Sequence, residues 1–165
     1  MSISFIRVDD RMIHGQTLTR WALEKPCDGL IAVNDNAAKN PTLKAAYKAA
    51  SPKKTFVWTI EEFEQKKQKV LDSSSEYFLI TKNPLDMKRL LIDNKLPTGD
   101  LKTVIIGPCN KREGSTTLGD GQSITQEEAR AFEEIMQGGF TVEFALLKEK
   151  SIGTWSKFRG QFGFG

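Results

Sequence analysis

The sequence predicts an α/β fold: a three-layer, mainly parallel open sheet with helices on both faces. Two observations predict it. Short β-rich runs that are nearly all apolar, as strands covered on both faces read, alternate with amphipathic stretches. The amphipathic stretches open on helix-start signals, so the alternation is strand–helix, the pattern of parallel crossovers. A chain of 165 residues, 39% apolar before its 13 glycines are added, is long enough to bury one core without disulfides or metal.

The elements follow in order. The first strand is read over Ser2–Val8 and the first helix over Gly15–Leu23. A second strand, Leu30–Val33, leads to Asn40-Pro41, an N-cap followed by proline at the first helical position, and a helix near Pro41–Ala50. After a third strand, Thr55–Trp58, Thr59 and Glu62 have capping-box spacing, and Ile60, Phe63, Val70 and Leu71 form one stripe. The strand Tyr77–Thr81 is followed by Asn83-Pro84 and a helix to Asn94. The strand Thr103–Ile106 runs into Gly107–Gly121, expected to be a long polar loop. Thr125 and Glu128 repeat the capping box, with Ala129, Phe132, Ile135 and Met136 inward and Gly138-Gly139 as the stop. The last strand, Phe140–Leu147, alternates, and the tail Ser151–Gly165 has aromatics that can pack on the body or stay mobile. There is no repeat and no linker. The expectation is one domain over 1–165, with 148–165 a candidate C-terminal extension.

Composition narrows the function. A net charge of +3 is too weak to argue for nucleic acid. Cys27 and Cys109 suggest neither a zinc site nor a disulfide framework, and a reduced cytoplasmic protein is the simplest reading. The start MSISFIRVDDR is not a signal peptide, and no apolar run is long enough to span a bilayer.

The chemistry gathers in Arg7–Trp21, RVDDRMIHGQTLTRW, which holds the only histidine, His14. Ligands of open α/β sheets bind outside the carboxyl ends of the strands, where Asp9–His14 should lie. A helix beginning at Gly15 offers unpaired backbone N–H groups and a positive dipole end to an anion, and Gly15 allows close backbone approach. Gln16 and Thr17 add side-chain donors, and Arg7 and Arg11 add positive charge in a geometry that matches phosphate. Asp9 or Asp10 can hold Arg11 or an imidazole N–H and so fix the tautomer. The assembly reads as a nucleophilic imidazole facing an anion cradle. Its plain alternative is a structural histidine, turn aspartates, a solvated arginine face and Trp21 in the core.

The stretch closely resembles the signature of the IIB components of the mannose/fructose/sorbose family of the bacterial phosphotransferase system: D-D-R-x-I-H-G-Q, then T-R-W, here Asp9-Asp10-Arg11-Met12-Ile13-His14-Gly15-Gln16 and Thr19-Arg20-Trp21. AVNDNAAKN (Ala32–Asn40), LITKNPLDMKRLL (Leu79–Leu91) and REGSTTL with SITQEEARAF (Arg112–Phe132) extend the likeness over roughly residues 3 to 147. The resemblance implies a phosphocarrier enzyme. A phosphohistidine on a IIA partner gives its phosphoryl group to His14, on Nδ1. The group then passes to a sugar entering through membrane IIC and IID subunits. Arg11 would stabilise the transferring group, Asp9 or Asp10 would orient the site, and no metal or cofactor is expected. The protein would be cytoplasmic and reach the membrane through IIC and IID. With Met1 directly ahead of the first strand, no IIA domain is expected upstream. Two departures stand out. Gly107-Pro108-Cys109-Asn110 replaces a glycine-glycine-methionine turn, removing one N–H donor, and the Gly/Phe tail matches no family motif.

Two other classes compete. A response-regulator-like domain needs a phosphorylatable aspartate after the third strand, where this chain has Thr59-Ile60-Glu61-Glu62. A small-ligand module would use Asn34, Asp35, Lys39 and Lys82 at the sheet edge. The preferred reading makes Asn34, Asp35, Lys39, Lys82, Lys111 and Arg112 a rim that meets an acidic face on IIA.

Overall fold

The computed structural model describes residues 2–165, apart from the side chains of Gln16 and Thr17. Among the described residues, seven strands form one sheet in the order β3-β2-β4-β1-β5-β8-β9, and β6 and β7 form a separate hairpin. The strands are β1 (Ile3–Val8), β2 (Gly29–Val33), β3 (Lys54–Trp58), β4 (Tyr77–Thr81), β5 (Thr103–Ile106), β6 (Thr116–Gly119), β7 (Gln122–Ile124), β8 (Thr141–Ala145) and β9 (Ser151–Thr154). All pairings within the large sheet are parallel except β8 with β9.

The helices fall on two faces. α1 (Gly15–Ala22), α2 (Asp35–Lys39) and α3 (Pro41–Ala49) pack with Phe5, Leu30, Phe78 and Ile105 on one side. α4 (Ile60–Leu71), α5 (Pro84–Lys88), α6 (Gln126–Gln137) and α7 (Trp155–Phe158) pack with Ile6, Val8, Val104 and Phe144 on the other. The connections β1→β2→β3 run one way along the sheet over the first face. Those through β4, β5 and β8 run the other way over the second. Chain direction therefore reverses between β1 and β5, and the crevice at their carboxyl ends is a topological switch point.

Local signals explain the element starts. Thr59 and Thr125 each accept from the backbone N–H three residues on, and Glu62 and Glu128 reach back to the cap N–H, so both capping boxes are complete. Asn40 and Asn83 accept from Leu43 N–H and Asp86 N–H ahead of their prolines. Three segments gain detail. Gly107–Gly121 is not a bare loop: its second half forms β6, paired with β7 through Thr116–Ile124 and Thr117–Ser123. Asp35–Lys39 adds a short helix capped by Asn34. Of the two states open to the tail, the structure shows the packed one. β9 lies antiparallel on β8, and Trp155, Phe158 and Phe162 are buried in the core.

Candidate functional site

The loop Asp9–His14 leaves the central strand β1 at the switch point. Two apolar anchors pin it from below, Met12 and Ile13, both buried. Asp9 C=O accepts from Met12 N–H at 2.9 Å, closing a tight turn, and Met12 takes a left-handed backbone (φ 48). A bulky residue in that conformation carries strain, which persists only where the surroundings over-determine it. On its other side the loop meets the chain after β5. Asp10 N–H donates to Pro108 C=O at 3.0 Å, and Asn110 N–H donates to Asp10 Oδ2 at 2.6 Å. Pro108 brings no N–H, but its carbonyl ties the two loops together.

His14 is the N-cap of α1, and its imidazole does not cap the helix. His14, Leu18 and Trp21 fall on one face of the helix. The ring instead turns to Asp9, with Nε2 3.0 Å from Oδ2. Asp9 is fully buried, and each of its oxygens is engaged. Oδ1 accepts from Arg11 N–H at 2.8 Å, and Oδ2 also accepts from Arg7 Nε at 3.2 Å. Burial pushes the Asp9 carboxyl up, but the hydrogen bond with His14, the Arg7 charge and the Arg11 N–H together hold it below the usual aspartate value. An ionised carboxylate only accepts, so Nε2 of a neutral His14 must carry the proton. Nδ1 then has a free lone pair and no partner among the described side chains.

Asp10 differs from Asp9. Burial raises its carboxyl above the ordinary value against the pull of the Asn110 N–H, and Asp9 next door raises it further. Cys109 is buried behind the loop, and burial pushes its thiol to about 12, so it is an inert wall rather than a nucleophile.

The side expected to face an anion is open. The Arg11 side chain is exposed and makes no ion pair among the described residues. The first-turn amides of α1 point out of the helix end, as they do at any helix start. Gly15 lies against the end of α3, and a Cβ there would stand 3.0 Å from Ala50 O. Any side-chain role for Gln16 and Thr17 lies outside the described residues.

Arg7 is where the sequence expectation and the structure part. The sequence places it with Arg11 among the phosphate-binding candidates. Its side chain is fully buried, donating to Asp9, Ala145 C=O at 3.2 Å and Leu146 C=O at 3.1 Å, so it cannot reach a bound phosphoryl group directly. Trp21 stacks beside it, with Arg7 Cζ 5.6 Å from the ring centroid.

The rim residues also divide. Lys39, Lys82 and Lys111 are exposed. Asn34 caps α2, and Asp35 Oδ1 accepts from Ile60 N–H at 2.9 Å, so both side chains serve the fold. Arg112 pairs with Glu128 and donates to Asn110 C=O. Asp10, Lys82, Asn110 and Arg112 line a cleft of about 260 Å³ beside the loop. Thr59 and Glu62, after β3, are engaged in their capping box.

Gly107, known from the sequence only as part of a loop, surrounds Arg7 together with Ala145 and Leu146, which the sequence does not mark. A Cβ on Gly107 would stand 2.6 Å from Arg7 Cζ, so a side chain there must displace the guanidinium. Nothing local in the sequence signals this; only the β1–β5–β8 neighbourhood does.

Comparison with known proteins identifies the family. Residues 3–163 match the family model described as the PTS system sorbose subfamily IIB component. The chain is 28% identical over 149 residues to the fructose-specific EIIB component of Bacillus subtilis, covering 89% of each chain. It is 28% identical over 151 residues to the sorbose-specific EIIB component of Lacticaseibacillus casei, covering 90% of this chain and 89% of that one. The mannose-specific EIIAB component of Escherichia coli K12 is 27% identical over 149 residues, 87% of this chain and 44% of the longer relative. Among solved structures, the IIBSor domain of the sorbose permease from Klebsiella pneumoniae superposes with a TM-score of 0.85 at 23% identity, over 97% of this chain and 98% of that one.

Proposed function

Because the chain belongs to the sorbose-subfamily IIB components of the phosphotransferase system, and is therefore a phosphocarrier subunit of sugar transport, we propose that His14 is the residue that carries the phosphoryl group, on Nδ1. The observation behind this is the 3.0 Å contact from Nε2 to Asp9, which commits one ring nitrogen and leaves the other as the nucleophile.

The step is simple. The Nδ1 lone pair attacks the phosphorus of a phosphohistidine on the IIA donor. The P–N bond to the donor breaks, and its electron pair returns to the donor ring. His14 keeps its Nε2 proton, so the phosphorylated ring is positively charged, and the Asp9 carboxylate facing it stabilises that charge. Arg11 and the first-turn amides of α1 stabilise the three phosphoryl oxygens, the main work of a phosphoryl-transfer site. In the second transfer, the sugar hydroxyl oxygen takes the group and gives up its proton to water, while the P–N bond to His14 breaks and its electron pair returns to Nδ1.

IIA is the donor in this reading, and its acidic face meets Lys39, Lys82, Lys111 and the Arg112 edge. Among the described residues no helix is long and apolar enough to cross a membrane. In this reading IIC and IID translocate the sugar and present its hydroxyl to His14 at the cytoplasmic face.

The test is intact-mass analysis after incubation with phosphoenolpyruvate, enzyme I, HPr and the cognate IIA, for wild type and His14→Gln. One acid-labile phosphoryl group on wild type and none on a folded His14→Gln is the expected result. Full labelling of the variant would place the chemistry elsewhere.

A further inference from the structure

We propose that Arg7 is a positioning residue, a buried clamp that holds the Asp9 carboxylate in the one orientation that keeps the His14 proton on Nε2 and turns Nδ1 toward the incoming phosphorus.

Arg7 occupies a place where an apolar residue would be expected. It lies in the central strand, in register with Ile80 of β4 and Ile105 of β5, on the face that carries Phe5 and Trp21. Its guanidinium is engaged on three sides. Nε donates to Asp9 Oδ2 at 3.2 Å, Nη1 to Ala145 C=O at 3.2 Å and Nη2 to Leu146 C=O at 3.1 Å. Trp21 lies along one side, and Gly107 offers no side chain against the guanidinium. A planar fork held in this way has little rotational freedom.

Asp9 inherits that rigidity. Its Oδ2 receives both Arg7 Nε and His14 Nε2, and its Oδ1 receives Arg11 N–H. Three donors from three directions fix the carboxylate plane, and the plane fixes the ring. Stability alone does not account for the guanidinium, since apolar residues of similar volume usually match or exceed buried ion pairs in stability. The charge is useful here because it offsets Asp9 without occupying the anion side of the site, which Arg11 and α1 keep open.

The proposal rests on the phosphocarrier reading for its kinetic arm only; the spectroscopic arm uses the unphosphorylated protein. In ¹⁵N-edited NMR, wild type should show a downfield, slowly exchanging His14 Nε2–H with a cross-relaxation contact to Arg7 Nε–H. Absence of that contact in wild type overturns the proposal without any variant. In Arg7→Met the resonance should be lost to exchange. Transfer from phospho-IIA should slow on the order of 10–100-fold, the range for losing a hydrogen bond to a charged group. The loss should fall in kcat with KM unchanged, because a buried residue does not touch the donor. Arg7→Lys should recover part of the rate. Should Arg7→Met not fold, Gly107→Ala, which pushes the guanidinium aside while leaving Asp9 and His14 in the chain, must show the same two losses. A folded Arg7→Met or Gly107→Ala that keeps the resonance and wild-type kcat sinks the proposal. If the resonance behaves as expected but His14 takes no phosphoryl group, the assignment of His14 as carrier fails and the Arg7 clamp stands.

Discussion

Asp9 is the residue on which acid acts at this site. Burial works to raise its carboxyl, and the hydrogen bond with His14, the Arg7 charge and the Arg11 N–H more than offset that. A carboxyl depressed in the folded state contributes stability that is full above its unfolded value and is lost as pH falls through the folded one. Asp9→Asn removes that contribution. Its melting temperature should therefore fall less steeply than that of wild type as pH drops from neutrality through the carboxylate range. The same variant lets the imidazole proton settle on either nitrogen, and transfer should slow on the order of 10–100-fold. That this loop gathers an imidazole, carboxylates and a basic group was legible from residue types alone. The division of labour between the arginines was not. Arg7 and Arg11 look equivalent in the sequence, and only strand alternation beneath a covered face separates the buried one from the exposed one.

Helix starts were the most legible elements, because their signals are local. Thr59 with Glu62, Thr125 with Glu128, and the two Asn-Pro pairs each lie within a few residues of the N–H groups they satisfy. Removing one tests this directly. Thr59→Ala should cost about 1 kcal/mol, read as a melting-temperature fall of roughly 2–4 °C by calorimetry, with phosphorylation unaffected. The β6–β7 hairpin was not legible: it is short and polar, and its place depends on distant contacts. Gln122 is buried, donates to Ile106 C=O at 2.8 Å, and bridges to Cys109. The left-handed Met12 was equally hidden, because methionine carries no signal for that backbone.

For the molecule as a whole, the order of the sheet was beyond the sequence, since it depends on which strands meet and not on where they begin. The C-terminal segment shows the effect best. Its aromatics form one stack with the body, Trp155 lying 5.6 Å from Phe132 and 5.5 Å from Phe162 between ring centroids. Glu133 fastens the outside. It accepts from Trp155 Nε1 and from Arg159, and the Arg159 hydrogen bonds hold its carboxyl at about 2. That fastening is intact above the ordinary glutamate range and loosens as pH falls toward the folded value. Trp155→Ala should cost about 3–5 kcal/mol, a large part of a typical domain's stability, and should be visible as an early urea midpoint. On the opposite scale of interaction, Lys82→Glu with Lys111→Glu should leave the melt unchanged. The pair should lower the association rate with IIA and flatten its salt dependence in stopped-flow transfer. The Leu146 carbonyl, which accepts from Arg7 at 3.1 Å and from the Trp21 indole at 3.4 Å, joins the C-terminal segment to the strand beneath the histidine. Any opening that frees this carbonyl would release both donors at once, so exchange of the Trp21 indole proton with deuterium is expected to report how often that part of the Arg7 support is interrupted.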